Sequence, residues 1–138
     1  MSETASNSAL QCVVVTPEET VLECEADFVV LPLFDGELGI APLHSPLMGR
    51  LGFGELRIRN GSETTRYYVD GGFAQVAGNL VSVLTNRAIK SADVDGHAAQ
   101  EQLEVALKAK AAGADQMASR DRAQSQARAQ VRIANRAK

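Results

Sequence analysis

Apolar and polar positions alternate in short runs along the first two thirds of the chain: Cys12 to Val15, Val21 to Cys24, Phe28 to Leu33, Glu55 to Arg59, Arg66 to Val69, Phe73 to Ala77 and Leu80 to Thr85. These runs are rich in β-branched and aromatic side chains, which fit a half-buried pleated surface, so each predicts a strand. Between them stand Thr16-Pro17-Glu18, Phe34-Asp35-Gly36, Asn60-Gly61, Asp70-Gly71-Gly72 and Gly78-Asn79. Such groups supply the fixed or positive φ that a tight reversal needs, and Asn60-Gly61 predicts a hairpin with alternating faces. Short strands at regular spacing with no long helix between them predict an antiparallel sandwich or barrel.

Beyond residue 90 the period changes. Val94 to about Ala112 and Asp115 to about Ala137 read as helices broken at Gly113, with Asp93 or Ser91 capping the first and Asp115 the second. Ala99, Leu103, Ala106 and Leu107 fall on one face, as do Ala123, Ala127, Val131 and Ala134. Both stripes are narrow and built of small side chains, and Gly96 weakens the start of the first helix by roughly 1 kcal/mol relative to Ala. Lone helices of this length are marginal in water, so the two are expected to pack as an antiparallel helical hairpin. The fold class expected is therefore α+β by segments. Residues 1–90 form an N-terminal antiparallel β-sandwich, with 1–9 a loose tail, and residues 91–138 form a C-terminal two-helix hairpin whose weak apolar interface makes detachment cost little.

Composition changes at the same place. All four Pro, all six Phe and Tyr and nine of the 11 Gly precede residue 91, whereas the last 48 residues hold 14 Ala and no aromatic. Residues 1–90 carry 6 basic and 11 acidic side chains, and residues 91–138 carry 8 and 6. The overall charge of -3, with no basic–aromatic interleaving, disfavours nucleic acid. No run of about 18 apolar residues occurs to span a membrane. The start MSETASNSAL carries an acid and no Lys or Arg, which argues against a leader and for a cytoplasmic location. Cys12 and Cys24 lie symmetrically about Thr16–Thr20; a hairpin could set them opposite each other, yet buried free thiols are the expectation.

Catalytic signatures are missing. There is no Gly-x-Ser-x-Gly and no phosphate-cradling G-x-x-x-x-G-K-[ST] loop, and the G-x-G within Gly49–Gly54 opens no helix. His44 and His97 lie too far apart in sequence to suggest a zinc site with the cysteines, so neither metal nor cofactor is expected. His44, between Pro42 and Pro46, reads as a residue that satisfies loop backbone groups. An enzyme pairing His44 with Asp35 or Glu37 would need a constellation that the sequence does not announce.

The string Gly36-Glu37-Leu38-Gly39-Ile40-Ala41-Pro42-Leu43-His44-Ser45-Pro46, followed by Tyr68-Val69-Asp70-Gly71-Gly72-Phe73 and Asn79-Leu80-Val81-Ser82-Val83-Leu84, resembles the epsilon subunit of F-type ATP synthases. The likeness covers nearly the whole chain. It implies a non-catalytic part of the central rotor stalk, coupling proton translocation to ATP synthesis. It would be held by the gamma subunit and seated on the c-ring at the cytoplasmic face of a bacterial plasma membrane. By the resemblance, Glu37 approaches the polar loops of the c-ring with His44 nearby at the same end, while Gly36, Gly39, Pro42, Gly71 and Gly72 shape loops. The helical hairpin would either fold against the sandwich or extend along gamma into the alpha/beta head and restrain ATP hydrolysis, with Arg120, Arg122, Arg128, Arg132 and Arg136 facing acidic surfaces there. Some relatives bind ATP through an I/L-D-x-x-R-A motif. Here Val94-Asp95-Gly96-His97-Ala98-Ala99 occupies that stretch, Ala98 stands at the arginine position, and Gln126 and Gln130 stand about where the second helix would be basic, so the motif is degenerate. The competing reading is a free-standing β-sandwich binding module with a helical interaction tail.

Overall fold

A computed structural model describes residues 9–136. Apart from Ala9, the tail expected over residues 1–9 lies outside the described residues, and so does Ala137 at the expected helix end. Ten strands form two five-stranded sheets. The first sheet has the order β2 (Thr20–Ala26), β1 (Leu10–Val15), β9 (Leu80–Leu84), β8 (Phe73–Ala77) and β5 (Leu47–Arg50). The second has β10 (Ala88–Lys90), β7 (Glu63–Asp70), β6 (Phe53–Asn60), β3 (Phe28–Leu33) and β4 (Gly36–Ile40). The expected sandwich is antiparallel except where β1 runs parallel to β9. Most of the domain lies between those two strands in sequence, so no short turn imposes an antiparallel pairing.

The inward positions of both sheets interdigitate. Cys12, Val14, Val29, Leu31, Leu56, Ile58, Tyr67, Val69, Val76, Val81 and Val83 form one buried core, and burying each aliphatic side chain contributes roughly 1.5–3 kcal/mol. Cys12 and Cys24 are direct cross-strand partners on β1 and β2, and both are free thiols. Burial pushes the Cys12 thiol up to about 12, which keeps it an inert core side chain.

Three strands were not expected: β4, β5 and β10. The first two are short and carry Gly36, Gly39 and Gly49, which interrupt the side-chain alternation. Gly39 therefore shapes no loop. It lies inside β4, where its missing side chain makes room for the ring of Phe28. Gly36 opens β4 just after the Phe34–Asp35 turn, and Gly71 and Gly72 join β7 to β8, all three with positive φ; Pro42 lies in the 41–46 loop.

A 3-10 turn at Ser91–Asp93 leads into α1 (Gly96–Lys108) and α2 (Ala114–Arg136). The cap of α1 is Asp95 rather than Asp93 or Ser91: its carboxylate accepts the Ala98 N–H at 3.1 Å, because the 3-10 turn delays the helix past Val94. Asp115 sits within the first turn of α2, whose ladder starts at the Gly113 carbonyl. Ala109 to Ala112, read as helix, join the two helices instead. The helices run antiparallel, with Gly96 against Ala134 and the Gln124 amide donating to the Ala106 carbonyl at 3.2 Å. A methyl group at residue 96 would press on Ala134, so the glycine that weakens α1 also permits the close crossing.

Gly72, at φ +103°, backs onto the Leu84 carbonyl, whereas Gly61, at φ +64°, faces open space. Gly72→Ala should lower unfolding free energy in urea by about 3–4 kcal/mol and Gly61→Ala by only about 1 kcal/mol; equal effects would contradict the packing described.

Candidate functional site

Alternation on β6 and β7 sends Leu56, Ile58, Tyr67 and Val69 inward and leaves Phe53, Glu55, Arg57, Arg66, Tyr68 and Asp70 on the outer face. The helical hairpin lies across that face. Tyr68, Ala129 and Ile133 form a second buried cluster with Phe53, Ile89 and Val94 around it. On α2 this contact uses Ala129, Gln130 and Ile133, a face that the apolar stripe through Ala127 and Val131 did not reveal. Two polar side chains, Gln126 and Gln130, interrupt its pattern.

The hairpin also closes over two carboxylates. Glu55 is only 4% exposed; its Oε1 accepts from Arg136 at 3.2 Å and Arg66 at 3.3 Å, and its Oε2 from the Ser91 hydroxyl at 2.9 Å. Asp70, also buried, accepts from the Gln126 amide at 2.8 Å and has the Arg87 guanidinium at 3.6 Å. Each carboxylate is thus shared between a cation of the sandwich, Arg66 on β7 or Arg87 just ahead of β10, and a residue of α2. Removing the sole partner of a buried charge costs roughly 3–5 kcal/mol. Here each carboxylate has a further partner outside α2, Arg66 or Arg87, so neither charge depends on the arm alone. Neither acid was singled out from sequence; the one signal was an outward Glu55 amid outward Arg57, Arg59 and Arg66.

Between the two latches sits Tyr68. Burial pushes its phenol up, and Gln130 and Arg87 act in the opposite direction. The Arg87 guanidinium lies over the ring, 5.6 Å from its centre.

The residues expected at one end of the sandwich are separated. Glu37 stands on β4 opposite Pro32, next to the Phe34–Gly36 turn, and not on a loop. Its carboxylate takes a two-pronged bond from Arg57, at 2.9 and 3.3 Å. His44 lies past the other end of β4, where its Nδ1–H donates to the Ser45 carbonyl at 2.7 Å and the adjacent Leu43 N–H donates to Asn79 at 2.6 Å. No His44–acid pair forms with Asp35 or Glu37.

The arginines of α2 divide by task. Arg136 holds Glu55, and Arg120 pairs with its neighbour Asp121 at 3.4 Å. Arg122, Arg128 and Arg132 carry no ion pair among the described residues, and with Arg50 they line a cleft of about 890 Å³ beside Gly71 and Gly72. A larger cleft of about 1090 Å³ lies between α1, α2 and Asp70; Ala98 lines it with Glu101, Gln102, Gln126 and Gln130. Val94 packs beside Tyr68, and Asp95 caps α1.

A rigid sandwich bearing a two-helix arm on shared carboxylates defines the class of protein, and the comparisons place it. A family model described as "ATP synthase, Delta/Epsilon chain, beta-sandwich domain" matches residues 9–91. An ATP synthase epsilon chain of Rhodopirellula baltica is 48% identical over 124 residues, covering 90% of this chain and 97% of that protein. One from Carboxydothermus hydrogenoformans is 44% identical over 91 residues, covering 66% and 68% respectively. The chain belongs to the ATP synthase epsilon chain family. The fold is shared with a chain of the Euglena gracilis mitochondrial ATP synthase OSCP/F1/c-ring structure, with a TM-score of 0.79 at 20% identity over 88% of this chain and 78% of that one. It is also shared with a chain of the Tetrahymena thermophila central stalk/c-ring structure, with a TM-score of 0.72 at 16% identity over 91% and 96%.

A phenol whose pKa rises on folding stabilises the fold below its unfolded value, about 10, and that contribution is lost as pH climbs past it. The melting midpoint should therefore fall more between pH 9 and 11 in the native chain than in Tyr68→Phe; parallel curves would remove Tyr68 from the docked interface.

Proposed function

We propose that this chain is a non-catalytic subunit of the central rotor stalk of an F-type ATP synthase, linking proton flow through the c-ring to ATP synthesis through gamma. The observation that carries this reading is the 48% identity to the Rhodopirellula baltica chain, which spans 97% of that protein and so includes the helical arm. The sandwich suits torque transmission, since two sheets closed over one core move as a body. Among the described residues no helix is long and apolar enough to cross a membrane, and the chain is held peripherally, at the cytoplasmic face of a bacterial plasma membrane.

Two surfaces are assigned to partners. The outer face of the first sheet, opposite the helical arm, exposes Met48, Phe73 and Leu84 on adjacent strands, and Phe73 and Leu84 are direct partners. This apolar face is the gamma contact. Glu37, near the start of β4, and His44, in the 41–46 loop past its far end, face the c-ring loops as separate contacts. A tagged copy should copurify gamma and the c-ring from native membranes, and Phe73→Glu should abolish gamma retention while the free chain stays folded. Recovery of a folded chain with neither neighbour would defeat the assignment and favour a free-standing binding module.

The helical arm is the regulatory part. Docked on β6 and β7 it is withheld; released, it carries Arg122, Arg128 and Arg132 towards acidic surfaces of the alpha/beta head and restrains hydrolysis. The latch supports this reading, because its carboxylates keep partners when α2 leaves. With the nucleotide motif degenerate, arm position is set by contacts to neighbouring subunits rather than by bound ATP. A disulfide introduced between α2 and β6 in the assembled enzyme should raise ATP hydrolysis above that of the reduced form; equal rates would refute arm control.

A further inference from the structure

The latch is wired to the exposed edge of the sandwich. Arg57, on β6, is two residues from Glu55 on the same outer face, and its Nη1 stands 2.9 Å from Glu37 Oε2 and 3.8 Å from Glu55 Oε1. Its side chain is 25% exposed and that of Glu55 only 3%, so solvent screens this pair far less than a fully exposed one. The nearest Arg66, Arg136 and Arg57 approaches to Glu55 all converge on one oxygen, Oε1, at 3.3, 3.2 and 3.8 Å, while Ser91 takes Oε2. Two of the three are within bonding distance. The third is kept back by its two-pronged hold on Glu37.

We propose that Arg57 couples Glu37 to the helical arm, so that drawing Glu37 onto a cationic partner group loosens the docking of α2. Deprived of Glu37, the Arg57 guanidinium turns to the nearest remaining carboxylate, Glu55, and competes for Oε1. A third guanidinium there repels the other two. Arg66 is fixed to β7, beside β6 in the same sheet, whereas Arg136 is the last residue of α2, where a helix end frays most readily. Arg136 is therefore the one displaced. The arm is released from its C-terminal turn, while the Gln126–Asp70 bond and the Gln130–Tyr68 contact farther up α2 remain.

The inference rests on the reading of Glu37 as a partner contact, but the internal coupling is testable in the full-length free chain, with no partner present. Amide hydrogen exchange across residues 129–136 reports arm opening. Glu37→Gln should speed that exchange about two- to fivefold, and Arg136→Gln should speed it more. In the Arg136→Gln background the Glu37 change should add nothing, and in the Arg57→Gln background it should be silent. An unchanged rate in Glu37→Gln, an effect that persists without Arg57, or one that adds to Arg136→Gln would each overturn the coupling. The partner assignment fails separately, if Glu37→Ala leaves c-ring retention intact.

Discussion

Everything about the helical arm depends on two buried carboxylates that each serve two masters. Glu55 and Asp70 project from the outer face of one sheet and meet a cation of the sandwich, Arg66 or Arg87, and a donor from α2. A carboxylate whose only partner lay on the arm would bind it tightly and strand a charge whenever the arm moved. A carboxylate satisfied wholly by the sheet would not hold the arm at all. Sharing gives an intermediate grip, and a small apolar contact around Ile133 and Tyr68 adds the orientation.

The sandwich has the opposite character. Its core is a single cluster drawn from both sheets, with Val14, Val29, Leu31, Leu56 and Val83 wholly enclosed, and its tight turns leave little slack. Rigidity there and weak docking outside it are two uses of the same chain. One is bought with large aliphatic and aromatic side chains. The other follows from alanines and glutamines, which let α1 and α2 approach closely while contributing little burial.

Charge links these two parts in a way that neither shows alone. Arg57 stands between Glu37, on the exposed edge strand β4, and Glu55, beneath the arm. Cations also flank Asp70 and Tyr68, where Arg87 both pairs and stacks. The outer face of β6 and β7 thus carries an ordered row of charges over which the arm lies. The opposite face of the molecule, at Met48, Phe73 and Leu84, is apolar and exposed. One side of the sandwich carries the carboxylates that the arm covers, and the other an exposed apolar cluster.

How much of this was written in the chain can be judged residue by residue. Alternation in runs such as Phe28 to Leu33 and Phe73 to Ala77, together with the alanine-rich end, determined strands followed by paired helices, because the period of side-chain direction is local. The Gly36–Pro46 string also carried the family. Strands β4, β5 and β10 escaped, since three to five residues with glycine or little alternation leave no period to read. The Asp95 cap escaped because the Ser91–Asp93 turn consumes the earlier candidates. Tertiary structure alone decided that Glu55 meets Arg136, 81 positions away, that Asp70 meets Gln126, and that Arg57 reaches Glu37 across β3. Those meetings depend on sheet order and on where the arm crosses, and a linear pattern specifies which face a side chain takes but not which distant side chain will be there.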